Sequence, residues 1–196
     1  AASSISVEVG QLLRSGEKFI YAYYDGVDKI AHERGFGPFY EAELRSADAI
    51  VKSIQDVLTP GSVLLVTADH GQVMVGTNTL PPNPEVLAMT AYQSGEGRFR
   101  WLHARDGVQV ELLARASTHH ADVAWVVSKE QVIDENWLGP RLGPATRKRL
   151  GDVALVPRDP ISFDDVGDTG PFLLQCRHGA LTDDELDVPL LATAVK

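Results

Sequence analysis

The sequence predicts an α/β protein that has a mainly parallel sheet flanked by helices and a small inserted α+β subdomain. Three short apolar segments, residues 19–24, 63–66 and 172–176, predict strands of the sheet. Short apolar runs bounded by Gly and Pro are typical of buried strands. Each segment runs into Asp or His residues, and open α/β sheets bind ligands at the carboxyl ends of their strands. We therefore expect the functional site at that edge.

A helix is predicted between the first two of these strands. Apolar residues recur there at spacings of three and four, which gives a helix one apolar face: Leu44, Ala47, Val51, Ile54 and Leu58. Pro60 and Gly61 then end the helix. A strand, a helix and a second strand form a βαβ unit, for which a right-handed crossover is expected.

The middle of the chain predicts an insertion. Residues 76–97 are rich in Pro, Asn, Thr and Ser, which predicts a loop. A β-α-β-α-β pattern follows, with strands at 98–103, 123–127 and 153–156 and helices at 108–117 and within 144–150. We expect residues 1–75 and 158–196 to form one core and residues 76–157 to be inserted in it. The capping-box spacing of Thr182 and Glu185 predicts one further helical turn.

Composition excludes several classes of protein. The 196 residues are 44% hydrophobic and 23% charged, as in a globular protein of one domain, or of one domain with a small insertion. The net charge of −9 and the lack of clustered cations argue against coating of nucleic acid. No apolar run approaches the ~20 residues that span a bilayer. The single cysteine, Cys176, excludes an internal disulfide.

The first residues predict neither a signal peptide nor the start of a complete fold. Ala1 to Ser4 lack a basic region and a following apolar core. We expect the chain to be the back part of a longer protein, so that apolar sheet surface is covered by a missing N-terminal half or by self-association. A cytoplasmic location is slightly favoured, and an extracytoplasmic location stays open.

Five residues at the three strand ends are candidate metal ligands. Asp28 and His32 lie four apart, which places both on one helix face; the alternative is a solvated face. Asp69 and His70 follow the second segment, where Gly71 permits the irregular turn that directs both to a metal; the alternative is a polar loop. His178 follows the third segment, and taken by itself it is better interpreted as a surface histidine. Together these carboxylate and imidazole groups suit two divalent ions, Zn²⁺ above Mn²⁺ or Fe.

Other polar and aromatic residues have less specific patterns. Asp25 is either a partner of the metal ligands or a cap at the strand end. Three further histidines are expected to be structural or solvated: His103, His119 and His120. Three tryptophans are core residues or mark a partner surface: Trp101, Trp125 and Trp137. No phosphate-binding loop, nucleophile elbow or Cys-x-x-Cys motif is present.

The order of these motifs resembles the alkaline phosphatase superfamily, and within it the type I phosphodiesterase/nucleotide pyrophosphatase branch. The motifs are Asp28-x-x-x-His32, then Thr67-Ala68-Asp69-His70-Gly71, then Arg177-His178-Gly179. The resemblance covers residues 17–75 and 168–193 and implies a partial alkaline phosphatase-like core. It implies one zinc held by Asp28, His32 and His178, and a second held in part by Asp69 and His70.

The resemblance also implies groups that have no match in this sequence. In that family an upstream Asp completes the second site, and an upstream Thr or Ser at a helix N-terminus is the nucleophile. No catalytic nucleophile is assigned here, since Ser3, Ser4 and Ser6 lack a strand-to-helix setting. The family mechanism implies a metal-activated hydroxyl that attacks a phosphodiester, followed by hydrolysis of a phospho-enzyme. We expect this chain alone to bind metal without turnover.

Several functions remain open beside hydrolysis of a small-molecule phosphodiester. The same ligands serve phosphomonoester hydrolysis, sulfate ester hydrolysis, phosphonate cleavage and phosphomutase chemistry in the family. The chain is alternatively a non-catalytic module that binds a metal or a protein partner.

Overall fold

The computed structural model describes residues 1–168, 170 and 172–195. After a 3-10 turn at Ala2–Ser4, the helices are α1 (Ile5–Arg14), α2 (Gly26–Arg34), α3 (Pro38–Gln55), α4 (Pro84–Met89), α5 (Gln109–His120), α6 (Lys129–Asp134), α7 (Pro144–Arg149) and α8 (Asp183–Leu186). The strands are β1 (Val63–Thr67), β2 (Val73–Met74), β3 (Thr79–Leu80), β4 (Thr90–Glu96), β5 (Phe99–Ala104), β6 (Ala124–Ser128), β7 (Val153–Pro157), β8 (Ser162–Phe163), β9 (Cys176–Arg177) and β10 (Leu190–Ala194).

A four-stranded antiparallel sheet, in the order β4-β5-β7-β6, contributes residues to both clusters of the buried core. Every residue of β7 is buried, and successive side chains of a strand point to opposite faces. Leu155 therefore packs in one cluster with Leu112 of α5, and Val156 packs in a second cluster with Val132 of α6. The strand is apolar throughout because helices cover both of its faces.

The elements predicted between residues 98 and 157 are present in the structure. The three predicted strands are β5, β6 and β7, and the two predicted helices are α5 and α7. Trp101 is buried in the core, and Trp125 and Trp137 pack against the same cluster. The loop predicted at 76–97 is partly wrong, because it contains β3, α4 and β4. β4 is an edge strand with a polar sequence, which does not predict a strand. It is a strand because it pairs with β5.

Of the three strands predicted to reach the site, the second is correct and the others are not. β1 covers the second segment, but residues 19–24 form no strand and only Cys176 of the third segment lies in one. A segment becomes a strand through hydrogen bonds to a neighbour, and among the described residues 19–24 has none. The predicted βαβ unit is wrong for the same reason, and two helices, α2 and α3, lie between the first segment and β1.

The strand pairing differs from the mainly parallel sheet that was expected. β1 pairs with β10 and β2 pairs with β9, both antiparallel, and within the described residues β3 and β8 are the parallel pair. A parallel sheet needs a crossover to a neighbouring strand, and β1 has β10 as its neighbour in the part of the chain described. The α/β class with an added antiparallel unit is nevertheless what the structure has.

The helix predicted before β1 is α3, which begins at Pro38 and ends at Gln55, before Leu58. Proline is favoured at the first position of a helix, since its missing N–H would have no partner there. Ile54 is buried, whereas Leu44 on the same apolar face is exposed. The predicted turn at Thr182 is α8. Within the described residues, no helix has both the length and the apolar character needed to cross a bilayer.

Candidate metal centre

Helix α2 places Asp28 and His32 on one face, as their spacing predicts. His32 Nε2 lies 3.2 Å from Asp28 Oδ1. The other ring nitrogen, Nδ1, lies 2.7 Å from the carbonyl oxygen of Cys176. Because a carbonyl only accepts hydrogen bonds, Nδ1 carries a proton, and Nε2 is the ring atom that faces the carboxylate and is placed to bind a metal. Such an outer hydrogen bond fixes the ring of a metal-binding histidine.

The loop after β1 brings His70 to the same place. His70 Nδ1 lies 3.0 Å from the carbonyl oxygen of Gly71, which again leaves Nε2 as the free ligand atom. Helix α8 packs closely on this loop: the Gly71 N–H donates to the Glu185 carbonyl at 2.8 Å. A Cβ at Gly71 would lie 2.0 Å from the carbonyl oxygen of Asp184. Glycine is therefore required here by the close approach of two backbones.

His178 follows β9, which pairs with β2. Its ring stacks on that of His70 with centroids 3.6 Å apart, and its centroid lies 5.3 Å from that of His32. Burial lowers the pKa of His178, and the neighbouring His70 and His32 lower it further. A lowered pKa favours the neutral imidazole, which is the form that binds metal ions.

The four side chains converge around the carboxylate of Asp28. Ligand atoms of Asp28, His70 and His178 all lie within 4.8 Å of one another, and Asp28 Oδ1 is 3.9 Å from His178 Nε2. Ligand atoms of a tetrahedral zinc site are about 3.3 Å apart, because each bond is about 2.0 Å long. The donor set of one carboxylate and several imidazoles with oriented rings fits such an ion after small side-chain movements.

The distances group the ligands differently from the resemblance. They place His70, which the resemblance assigns to a second zinc, with Asp28 and His178. His32 lies next to the same Asp28 oxygen, Oδ1, that faces His178. The two ligand groups are therefore adjacent, as two ions about 3.5–4 Å apart require.

Gln72 is a neighbour of the centre that the sequence analysis missed. Its Nε2 donates to Asp28 Oδ1. Its Oε1 is buried and has no hydrogen-bond partner among the described residues. Gln72 lies two residues after His70, and nothing in its residue type marks it as a partner of a carboxylate 44 positions away.

The remaining acidic groups lie at the periphery. Asp69 is next to His70, with Oδ1 at 3.7 Å from His70 Nε2, and its side chain is exposed. The charge of Asp69 is the main cause that raises the pKa of Tyr23. Asp25 is at the N-cap position of α2 and pairs with Lys29 instead of the candidate ligands.

The other three histidines lie in the structural or surface positions that were expected. His103 is buried and bonds Ser94 Oγ at 2.9 Å. His120 is buried and accepts a backbone N–H. His119 contacts Glu85 at the surface of α5. None belongs to the group around Asp28.

Solved structures share this arrangement of elements. The chain aligns over its whole length with phosphonoacetate hydrolase from Sinorhizobium meliloti 1021, solved with phosphonoformate, at a TM-score of 0.72 and 17% identity. Over 98% of its length it aligns with murine ectonucleotide pyrophosphatase/phosphodiesterase 5, at a TM-score of 0.69 and 14% identity. The human counterpart gives the same values. The chain thus has a fold similar to the alkaline phosphatase-like fold of these structures.

The similarity is one of structure over part of the neighbouring chains. This alkaline phosphatase-like chain spans about half of the solved structures it matches, 50% of the phosphonoacetate hydrolase and 52% of the murine and human proteins. Comparisons with protein-family profiles and with curated protein sequences find no match. The resemblance expected from the three motifs is thus confirmed as a shared fold.

Proposed function

We propose that this chain is the metal-binding part of a phosphoric ester hydrolase of the phosphodiesterase and nucleotide pyrophosphatase type. The convergence of Asp28, His32, His70 and His178 is the observation that carries the proposal. These residues come from three distant stretches of the chain, and two of the three rings are held by backbone carbonyls with Nε2 free. Such fixed ring orientation is typical of metal-binding histidines rather than of a solvated polar cluster.

Following the resemblance, we assign the ligands to two neighbouring ions: Asp28, His32 and His178 would hold one, and Asp69 and His70 would contribute to the other. The short distances from His70 to Asp28 and His178 would then place the two ions side by side. Zinc suits imidazole with carboxylate, and Mn²⁺ and Fe are the alternatives. Two such ions would supply Lewis acidity for a phosphoryl transfer. The chain's own part is to orient the rings through the carbonyls of Cys176 and Gly71 and to fix Asp28 through Gln72.

The type of ester is proposed from the resemblance and the neighbours. Motif order favours a phosphodiester or pyrophosphate substrate, and an inactive variant of the murine neighbour was solved with AMP. Phosphonate cleavage is the second candidate, since the phosphonoacetate hydrolase aligns with a TM-score of 0.72. A substrate panel on the longer protein separates them: we expect phosphodiester turnover to exceed that of phosphomonoester, sulfate ester and phosphonoacetate. A preference for any of the other three would contradict the proposal.

The nucleophile and a further Asp ligand are assigned to protein outside these residues. Support comes from one open face of the β1–β10 pair, where the apolar side chains of Val63, Leu65 and Leu190 are exposed together. Phe19 and Tyr21 are exposed as well. Contiguous apolar surface of this kind is covered in stable proteins. We assign its cover to the remaining half of the fold, with residues 1–75 and 158–196 as the metal-binding core and 76–157 as an insertion.

The chain alone is proposed to bind zinc without turnover. The test is to supply the purified chain with Zn²⁺, measure bound metal, and assay a chromogenic phosphodiester. Bound zinc without hydrolysis is the expected result. A robust zinc-dependent diesterase rate would contradict the assignment of the nucleophile, and a closed four-ligand coordination sphere would favour a structural metal module instead.

A further inference from the structure

We infer that a buried ion pair, Arg98 with Glu185, positions both histidine-bearing loops of the metal centre. This inference rests on the proposed function, because it names what holds that centre in its geometry. The pair is called the Arg98–Glu185 clamp below.

The clamp is a two-point contact in the protein interior. Arg98 Nε donates to Glu185 Oε1 at 3.0 Å, and Arg98 Nη2 donates to Oε2 at 2.6 Å. The two side chains are 0% and 1% exposed. The remaining Arg98 nitrogen, Nη1, donates to the carbonyl of Ile161 at 2.8 Å. A planar guanidinium held at this many points fixes the orientation of the carboxylate.

The carboxylate of Glu185 holds the loop that carries His178. The backbone N–H of Ala180, two residues after His178, donates to Glu185 Oε1 at 3.0 Å. Between them Gly179 has a φ of +118°, so the chain turns there in a conformation that favours glycine. The turn and the hydrogen bond together set where His178 leaves β9.

The backbone of Glu185 holds the loop that carries His70. Its carbonyl accepts the Gly71 N–H at 2.8 Å, immediately after His70. The two backbones are closely packed here, because a Cβ at Gly71 would lie 2.0 Å from the carbonyl oxygen of Asp184. One residue therefore contacts both loops, through its side chain on one and its main chain on the other.

Stability alone is a weak reason for such a pair. The cost of removing two charges from water often exceeds their attraction, so apolar residues in the same space are frequently as stable. A fixed orientation is what the pair adds, and here the oriented group touches the two loops whose rings stack at 3.6 Å. Glu185 is thus a positioning residue, acting through Ala180 and Gly71 on the ligands.

The chain contains a second buried arginine that serves as a control for this clamp, with a partly exposed carboxylate, Asp168, as its partner. Arg100, two residues along on β5, is equally buried and donates to Asp168 and, at 3.0 Å, to the carbonyl of Phe163. Its hydrogen-bond partners among the described residues all lie outside the histidine loops. Arg100→Lys and Asp168→Asn therefore disturb a buried arginine without touching the metal centre.

The test measures the zinc affinity of the 196-residue chain by competition with a chromophoric chelator, with folding checked by circular dichroism. Arg98→Lys and Glu185→Gln should weaken zinc binding about tenfold or more, as loss of an outer-shell partner does, and should shift the visible absorption of bound Co²⁺. Arg100→Lys and Asp168→Asn should stay within about twofold of the wild type, because they leave that shell intact.

If the wild type binds zinc, two results would overturn the inference: unchanged zinc affinity in the clamp variants, or an equal loss of zinc affinity in all four variants. A wild-type chain that binds no zinc would overturn the proposed function as well. If the single variants fail to fold, the double variant R98M/E185M, which buries no charge, replaces them. Wild-type affinity in that variant would also overturn the inference.

Discussion

Replacing Gly71 by alanine is expected to destabilise the loop that carries His70. The new Cβ would lie 2.0 Å from the carbonyl oxygen of Asp184, so the two backbones must separate. Separation breaks the 2.8 Å bond from the Gly71 N–H to Glu185, a loss of about 1 kcal/mol. Overpacking adds about 1–3 kcal/mol. The expected total is about 2–4 kcal/mol, or a fall in Tm of roughly 5–15 °C for a chain of this size.

The assay is equilibrium unfolding in urea, with Gly143→Ala as the matched control. Gly143 has a φ of −67°, and no heavy atom of the described residues lies within 4 Å of the position that a Cβ would take, so alanine is accommodated there. Gly71→Ala should lower the unfolding free energy and the zinc affinity, and Gly143→Ala should lower neither. A Gly71→Ala protein within about 0.5 kcal/mol of the wild type would refute the close-approach argument.

Three further outcomes follow from burial and exposure. Burial lowers the pKa of His120 below its ordinary 6.5, and its Nε2 accepts the Asn83 N–H, so folding disfavours the proton. The neutral His120 therefore contributes stability above pH 6.5, and this contribution is lost as the pH falls below that value. When the pH is lowered from about 7.5 to 5.5, the unfolding free energy measured in urea should fall more for the wild type than for His120→Gln. Leu102→Ala should cost about 2–5 kcal/mol in the same assay, because Leu102 is fully buried; a cost below 1 kcal/mol would contradict the core. Leu65 is 61% exposed, so Leu65→Ser should leave Tm unchanged and reduce association of the isolated chain in light scattering, and a large fall in Tm would contradict an open face.

Local patterns predicted the parts of this molecule that short-range forces determine. The i,i+4 spacing of Asp28 and His32 fixed their common helix face, and the apolar run at residues 153–156 indicated the fully buried β7. In each of these cases the spacing itself carries the geometry.

Long-range partners determined what the sequence analysis missed. Residues 19–24 have the composition of a buried strand, yet Phe19 is 85% exposed and no neighbour pairs with the segment within the described residues. Gln72 reaches Asp28 across 44 positions, and Glu185 reaches Arg98 across 87. The capping-box pattern at Thr182 predicted the turn at α8 but not the burial of Glu185, because its partner lies in another part of the chain.

Metal content per chain tests the central claim most directly. Protein purified without chelator or histidine tag should contain about one zinc by elemental analysis, and His178→Ala should lose it because the ligand group around Asp28 is broken. His119→Ala, which changes a surface histidine outside the group, should keep it. No metal after zinc is supplied, or equal zinc in His178→Ala and the wild type, would contradict the proposed metal centre.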